Sequence, residues 1–301
     1  MAKVIVTGGA GFIGSHLTDA LVERGDEVTV IDNLSGGKRE QINPRAIFCE
    51  LDIIDQSALT KAMSGAEVVF HLAAWPSVPR SIEEPLATHE VNATGTLNVF
   101  RAAQLAGAKR VIYSSSSAVY GDQAETPLSE RLSPKPQSPY GLQKLIGELY
   151  AKMFGELYAL PVISLRYFNV YGPRQSQTGA YASVINRFIE QTQTGQPLTV
   201  TGDGRQTRDF VNVLDVVRAN LLAGETKQPK ANAVYNIGSG QGVSIKQLVE
   251  LFGGPIEYLP PRLESRDSLA DIRLAQTELG WRPTVELVAG IAELKALNGL
   301  N

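Results

Sequence analysis

Short apolar runs alternate with longer stretches of helical spacing through the first half of the chain. Val4–Val6, Val28–Ile31, Ala46–Cys49, Val68–Leu72, Arg110–Ser114 and Val162–Arg166 are brief and largely β-branched. That is the texture of parallel strands buried on both faces. Between them, Phe12–Arg24, Gln56–Met63, Thr88–Leu105 and Tyr140–Tyr158 carry apolar residues at the spacing of a helix. Repeated β–α–β alternation predicts an α/β fold, a doubly wound parallel sheet with helices on both faces. After Arg166, Gly and Pro fall irregularly, as in Tyr171-Gly172-Pro173, Gly202-Asp203-Gly204 and Pro260-Pro261. Strands are expected there at Leu198–Thr201, Phe210–Val213, Val234–Ile237 and Ile256–Leu259. We read residues 1–166 as a nucleotide-binding domain. Residues 167–301 read as a smaller α/β C-terminal substrate lobe over the sheet's C-terminal edge, with some interleaving of the two.

Composition narrows the function classes. Hydrophobic residues at 43% and charged residues at 20% suffice for a buried core. A net charge of −3 argues against a protein that grips nucleic acid. The single Cys49 allows neither an internal disulfide nor a CxxC site, and His16, His71 and His89 lack ligand spacing, so no metal is expected. Met1-Ala2-Lys3 leads directly into Val4-Ile5-Val6 without the sequence of a leader peptide. No apolar run approaches the roughly 18 residues of a membrane span. The expectation is a cytoplasmic protein with no membrane partner.

The first strand runs into Thr7-Gly8-Gly9-Ala10-Gly11-Phe12-Ile13-Gly14-Ser15. Glycines at 8, 11 and 14 permit a tight turn, close approach of a pyrophosphate and close packing of the next helix. The helix opening at Phe12 and Ile13 points its free N–H groups and positive dipole end at phosphate. The next strand ends at Asp32, 18 residues after Gly14. An acid there accepts the ribose hydroxyls of NAD and repels the 2′-phosphate of NADP. This Rossmann-type turn makes NAD the expected cofactor. Asn33, Ser35, Asp52, Ile53 and the turn Leu72-Ala73-Ala74 lie at neighbouring strand ends and are candidate adenosine contacts.

Tyr140 and Lys144 are four apart on a predicted helix and share a face. A nearby ammonium favours a phenolate, so the pair predicts a tyrosine lowered toward working pH, able to act as a general base. The run Ser114-Ser115-Ser116-Ser117 closes the strand that ends at the nucleotide cleft. Hydroxyls there can bond a substrate oxygen whose charge changes. For Ser114 and Ser115 a serine-rich strand end is the preferred reading.

With these pieces in order, the chain resembles the extended short-chain dehydrogenase/reductase family, and within it the nucleotide-sugar 4-epimerases. The resemblance spans essentially the whole chain. It rests on the glycine turn, Ser115-Ser116-Ser117-Ala118-Val119-Tyr120-Gly121, Tyr140-Gly141-Leu142-Gln143-Lys144 and Arg166-Tyr167-Phe168-Asn169-Val170-Tyr171-Gly172-Pro173-Arg174. Thr207-Arg208-Asp209-Phe210 and Ser268-Leu269-Ala270-Asp271 extend it to the smaller lobe. The resemblance implies that Tyr140 is the base and that Lys144 is its partner and a ligand of the nicotinamide ribose. Ser116 would bond the sugar O4, with Ser117 beside it. Asn92 and Phe168 would line the nicotinamide. Asn169 would hold the diphosphate of a UDP-sugar, and Arg208 and Arg262 would pair with its charge. It also implies a homodimer formed through Thr88–Leu105 and Tyr140–Tyr158.

Two departures refine that picture. Similar dehydratases and decarboxylases carry an acid just after the catalytic Ser or Thr, whereas Ser117 and Ala118 stand here. The family's Arg-x-Gly-acid pattern is replaced by Arg262-Leu263-Glu264-Ser265-Arg266, so either Arg262 or Arg266 is the diphosphate ligand. Ser77–Ile82 and Gly179–Ile185 resemble the branch handling N-acetylated UDP-hexoses. Ser268 falls where enzymes restricted to glucose and galactose carry a bulky tyrosine. The expected activity is UDP-hexose 4-epimerisation, with or without a 2-acetamido group. The alternatives are a 4-ketoreductase, a dehydratase and a non-catalytic NAD-binding regulator.

Overall fold

The computed structural model describes residues 2–176, 183–226, 232–261 and 266–300. Strand β1 (Lys3–Thr7) enters the glycine turn and α1 (Phe12–Glu23) leaves it. β2 (Glu27–Asp32), β3 (Ile47–Glu50), α2 (Gln56–Ala62), β4 (Val68–His71), α3 (Val78–Glu83) and α4 (Pro85–His89) follow. α4 runs through a wider π-type segment, Glu90–Gly95, into α5 (Thr96–Leu105), so the predicted helix over 88–105 is present with an altered middle. Next come β5 (Arg110–Ser116), α6 (Pro139–Tyr158), β6 (Val162–Tyr167), β7 (Asn169–Tyr171), α7 (Val184–Gln193) and β8 (Leu198–Thr201). β9 (Thr207–Asn212), α8 (Val213–Glu225), β10 (Val234–Ile237), β11 (Gly242–Ser244), α9 (Ile245–Phe252), β12 (Ile256–Leu259), β13 (Asp267–Ser268) and α10 (Leu287–Leu297) complete the order.

Among the described residues, seven parallel strands form the main sheet in the order β10-β6-β5-β4-β1-β2-β3. Strand alternation divides its two faces. Val4, Val6, Val28 and Val30 join one core with Leu17, Leu21, Val216 and Trp281, while Ile5 and Ile31 join the other with Leu59, Phe100, Tyr113 and Phe154. Successive strands are added in opposite directions on the two sides of the β1–β4 boundary, the switch point where such sheets open a crevice.

One expected element changes place. Val234–Ile237, read as part of the smaller lobe, is the seventh strand of the main sheet, beside β6. Its four residues say "strand", but a short apolar run carries no mark of which sheet receives it. The crossover helix α8 packs on α1 and delivers it there. The smaller lobe keeps β11, β9, β13 and β7 in one sheet and β12 with β8 in another. Its own core contains Ile185, Phe188, Phe210, Leu248 and Phe252. Buried Asp209 fastens this lobe, accepting Ser239 N (2.5 Å), Ser239 Oγ (2.7 Å), Gly240 N (3.0 Å) and Ala270 N (3.0 Å). Among the described residues, no helix is long and apolar enough to cross a membrane.

The glycine turn is set by backbone contact. A Cβ at Gly14 would lie 2.1 Å from the Gly8 carbonyl oxygen, and one at Gly8, whose φ is +75°, 2.6 Å from Ala73 N. Gly14→Ala therefore lowers stability in urea titrations by about 1–3 kcal/mol or more. Gly36→Ala, with open space around it, stays within about 0.5 kcal/mol of the parent. Equal midpoints for the two variants would contradict this geometry.

Candidate active site

The turn between β1 and α1 is arranged for a phosphate. Gly8 N donates to Ile31 O (2.8 Å) and Gly11 N to Gly8 O (3.1 Å), closing the loop on itself. Gly11 caps α1 with no side-chain hydrogen bond, and the first turn carries no acid. The opening N–H groups at Phe12 and Ile13 thus suit an anion. Asp32 is buried, and burial raises its carboxyl above the usual range while Leu34 N and Ala10 N oppose the shift. Asn33 Nδ2 donates to Asp52 Oδ2 (2.7 Å), joining two of the candidate adenosine contacts at one rim. Asn33 Oδ1 accepts Ser35 N (3.0 Å) at the same rim, and Ile53 is buried behind Asp52. Leu72-Ala73-Ala74 faces this turn across the switch point, with Ala73 against Gly8. The missing Cβ atoms and uncapped amides fit a dinucleotide diphosphate.

At the end of β5, three predicted residues meet. Ser138 caps α6 and Pro139 opens it, which places Tyr140 in the first turn, where its N–H has no partner within the helix. Ser81 Oγ supplies one, accepting Tyr140 N (3.0 Å) while donating to Val78 O (2.7 Å). Ser116 Oγ accepts Ala118 N (3.2 Å), and Ser116 lies near enough to the Tyr140 phenol to favour its anionic form. One turn on, Lys144 is 3% exposed and donates to Ser114 O (2.8 Å).

The electrostatics differ from the expectation of a lowered tyrosine. Burial pushes the Tyr140 phenol up to about 12, against a smaller opposing influence of Ser116. Burial also pulls Lys144 down to about 7, although Glu148 favours its charge. Its Nζ is 5.9 Å from the Tyr140 ring centroid. At the phenol, desolvation is the dominant influence.

A second layer supports this pair from below. Glu148, four residues beyond Lys144, takes Arg166 in a two-pronged pair, Nε–Oε1 2.9 Å and Nη2–Oε2 2.7 Å, and also accepts Ser115 Oγ (2.5 Å). Arg166 lies 4.6 Å over the Tyr120 ring, and Tyr120 Oη donates to Asn236 Oδ1 (2.7 Å) on β10. Sequence reasoning left Glu148 out, although its four-residue offset from Lys144 was the available signal.

The substrate candidates gather where β7, β9 and β13 meet. Asn169 Nδ2 donates to Asp209 O (3.0 Å), and Arg208 Nη1 donates to Thr207 O (2.8 Å) and Arg266 O (3.1 Å). Asn169 and Arg208 line a cavity of about 260 Å³ with Arg187, Thr201, Gln206 and Phe210. Ser268 stands in register with Arg208. Arg266 is exposed and offers its backbone rather than its guanidinium to these contacts. Ser117 begins the short turn after β5. Phe168 is buried against Val119, Tyr120 and Leu128. Asn92 is buried with its amide committed to Trp75 and Gln143, so it acts here as a brace. Arg262 and part of the segment 179–185 lie outside the described residues. Among the described residues, no cluster of His, Cys, Asp and Glu could hold a metal ion.

Known proteins share this chain's sequence and fold over nearly its whole length. Residues 4–238 match the NAD dependent epimerase/dehydratase family. The chain is 39% identical to a UDP-glucose 4-epimerase of Mycolicibacterium smegmatis, over 97% of this chain and 96% of that protein. It superposes on the crystal structure of UDP-glucose 4-epimerase with UDP-glucose from Thermotoga maritima with a TM-score of 0.92, at 42% identity, covering 96% of each chain. It also superposes on UDP-N-acetylglucosamine 4-epimerase from Methanobrevibacter ruminantium in complex with UDP-N-acetylmuramic acid. There the TM-score is 0.91 at 38% identity, covering 98% of this chain and 99% of that one.

Removing one member of the buried ion pair strands the other. Glu148→Ala is expected to cost about 3–5 kcal/mol in denaturant titrations, because Arg166 keeps its charge in an apolar site. A loss below about 1 kcal/mol, the range of exposed pairs, would show that water reaches Arg166.

Proposed function

The chain belongs to the NAD dependent epimerase/dehydratase family, and from that premise we propose that it is a 4-epimerase of UDP-hexoses. Its substrates are UDP-glucose and UDP-galactose together with their N-acetylated 2-amino counterparts. The observation that carries this reading is the meeting of Tyr140, Lys144 and Ser116 at the end of β5, with Ser117 and Ala118 where an eliminating enzyme needs an acid. NAD, when bound, would supply the hydride acceptor and donor for the sugar carbon. Gly8, Gly11 and Gly14 with Phe12 and Ile13 hold its diphosphate, and Asp32 its adenosine ribose. Asn33, Ser35, Asp52, Ile53 and Leu72–Ala74 surround the adenosine.

The protein's own task is to manage one proton and one sugar. Tyr140 Oη takes the proton of the sugar O4 and later gives it back. Ser116 bonds the same oxygen as it passes between alcohol and carbonyl. The Lys144 ammonium favours the anionic phenol, so positive charge gained in the assembled site works against the burial that holds Tyr140 up. Arg208 binds the UDP diphosphate by a forked contact, with Arg262 or Arg266 as the second cation and Asn169 beside them. Inversion at C4 needs a sugar free to turn in the site, and the small Ser268 leaves room for a 2-acetamido group as it does so.

The same reading includes a homodimer. Leu142, Leu149, Met153 and Leu157 are exposed along one side of α6, and Leu97, Tyr150 and Tyr158 line an open apolar groove between α5 and α6. Such a stripe on a folded surface supports that reading.

Proton NMR of products, with UDP-glucose and UDP-GlcNAc offered separately, tests the activity. Inversion at C4 of both sugars is expected. Tyr140→Phe should lower kcat on the order of 10²–10⁴-fold, and Ser268→Tyr should remove only the acetamido reaction. Net accumulation of NADH, or elimination of water, would move the assignment to a reductase or a dehydratase. No reaction with NAD retained would favour a regulator. Light scattering should give twice 32.5 kDa, and a Leu149→Asp/Leu157→Asp variant should halve it. A monomeric parent would overturn the dimer.

A further inference from the structure

A buried chain of hydrogen bonds that the chemistry above does not use runs beneath the cofactor turn. Thr7 Oγ1 lies 2.8 Å from His71 Nδ1, His71 Nε2 lies 2.9 Å from Thr96 Oγ1, and Thr96 Oγ1 lies 2.7 Å from Asn92 O. Ala73 N donates to Thr7 Oγ1 (3.4 Å). Asn92 clamps Trp75 at both backbone groups, accepting its N–H (2.8 Å) and donating to its carbonyl (3.1 Å). It also donates to Gln143 Oε1 (2.8 Å), and Gln143 donates to Thr88 Oγ1 (3.0 Å). Gln143 immediately precedes Lys144. No side chain in the series is more than 2% exposed.

The direction of every proton in the series follows from one acceptor. A carbonyl oxygen can only accept, so Thr96 donates its single hydroxyl proton to Asn92 O. Thr96 Oγ1 is then left to accept from His71, which places the ring proton on Nε2. Nδ1 must accept, so Thr7 donates to it and keeps its lone pairs for Ala73 N. His71 stacks on Tyr113 (5.6 Å) and meets the edge of Phe100 (6.1 Å), and the charged group facing it is Lys144. Burial, assisted by Lys144, pulls the imidazole down to about 3, so the ring is neutral in the working range.

We propose that His71 is a positioning residue, locked as the single neutral tautomer with its proton on Nε2. It ties the cofactor-facing loop Leu72–Trp75 to the helix that carries Tyr140 and Lys144. The proposal rests on the catalytic reading of that pair, but its first test does not. In protein labelled with ¹⁵N-histidine, with His16→Gln and His89→Gln leaving His71 as the only histidine, the ring should carry its proton on Nε2. Its shifts should not move between about pH 5 and pH 8. Titration in that range, or a proton on Nδ1, overturns the proposal whether or not the protein epimerises any sugar.

The second test uses Thr7. Thr7→Val removes the donor to Nδ1 and keeps the volume, while Thr7→Ser restores it. The valine variant should retain less NAD on purification and lose kcat on the order of 10-fold, with the sugar KM little changed. The serine variant should recover both. Full NAD and full kcat in Thr7→Val, or the same losses in Thr7→Ser, would overturn the proposal. His71→Phe, which keeps the stack on Tyr113, should repeat the valine result.

Discussion

An ammonium group held out of water at the end of a parallel strand imposes conditions on everything near it. Lys144 is 3% exposed, and burial has already drawn its proton affinity down to about 7. The Ser114 carbonyl gives it one partner and Glu148 a compensating charge. Glu148 is itself buried, so it needs Arg166, and Arg166 needs a place for its remaining face, which the Tyr120 ring provides. Tyr120 reaches Asn236 on β10, and Asn236 donates to Leu128 O (2.8 Å) and Asp271 O (3.2 Å). One buried charge thus connects the centre of the main sheet to the segment that leads into the smaller lobe.

The opposite flank of α6 is held by neutral groups. Gln143, Asn92, Thr96, His71 and Thr7 are satisfied by one another and by backbone, with no net charge among them. The helix bearing the phenol and the ammonium is therefore fixed from one side by an ion pair and from the other by an amide and imidazole series. Two supports of this kind hold the positions of Tyr140 and Lys144 rigidly. Ser81 completes the support by satisfying the Tyr140 N–H that the first helical turn leaves open.

Much of this was legible from the amino-acid order, for reasons that can be named. The short β-branched run Val4-Ile5-Val6 predicts a strand buried on both faces, and those residues divide between two cores. Gly8 and Gly14 read as a phosphate turn because a missing Cβ is a local property, and the backbone does come within 2.1 Å of where one would sit. Tyr140 and Lys144 read as a pair because helical geometry converts four residues into one face. Val234–Ile237 was legible as a strand but not as the seventh strand of the main sheet, since pairing with β6 is a long-range event. Asn92 was legible as a residue of interest, but its commitment to Trp75 and Gln143 was not.

By itself, then, the order of residues determined what periodicity and local stereochemistry can carry: the doubly wound α/β class, the phosphate turn, the acid at Asp32 and the Tyr140–Lys144 face. Tertiary structure alone decided the electrostatic state of that face. Whether an ammonium lowers a phenol depends on how much water each has lost, and burial is a sum over neighbours brought from Ser81, Ser114, Ser116 and Glu148. Glu148 follows from helical spacing on α6, but Ser81 on α3 and Ser114 and Ser116 on β5 come from other elements, and no spacing rule relates those to the pair. Desolvation prevailed over the lysine's field because packing set the dielectric in which that field acts.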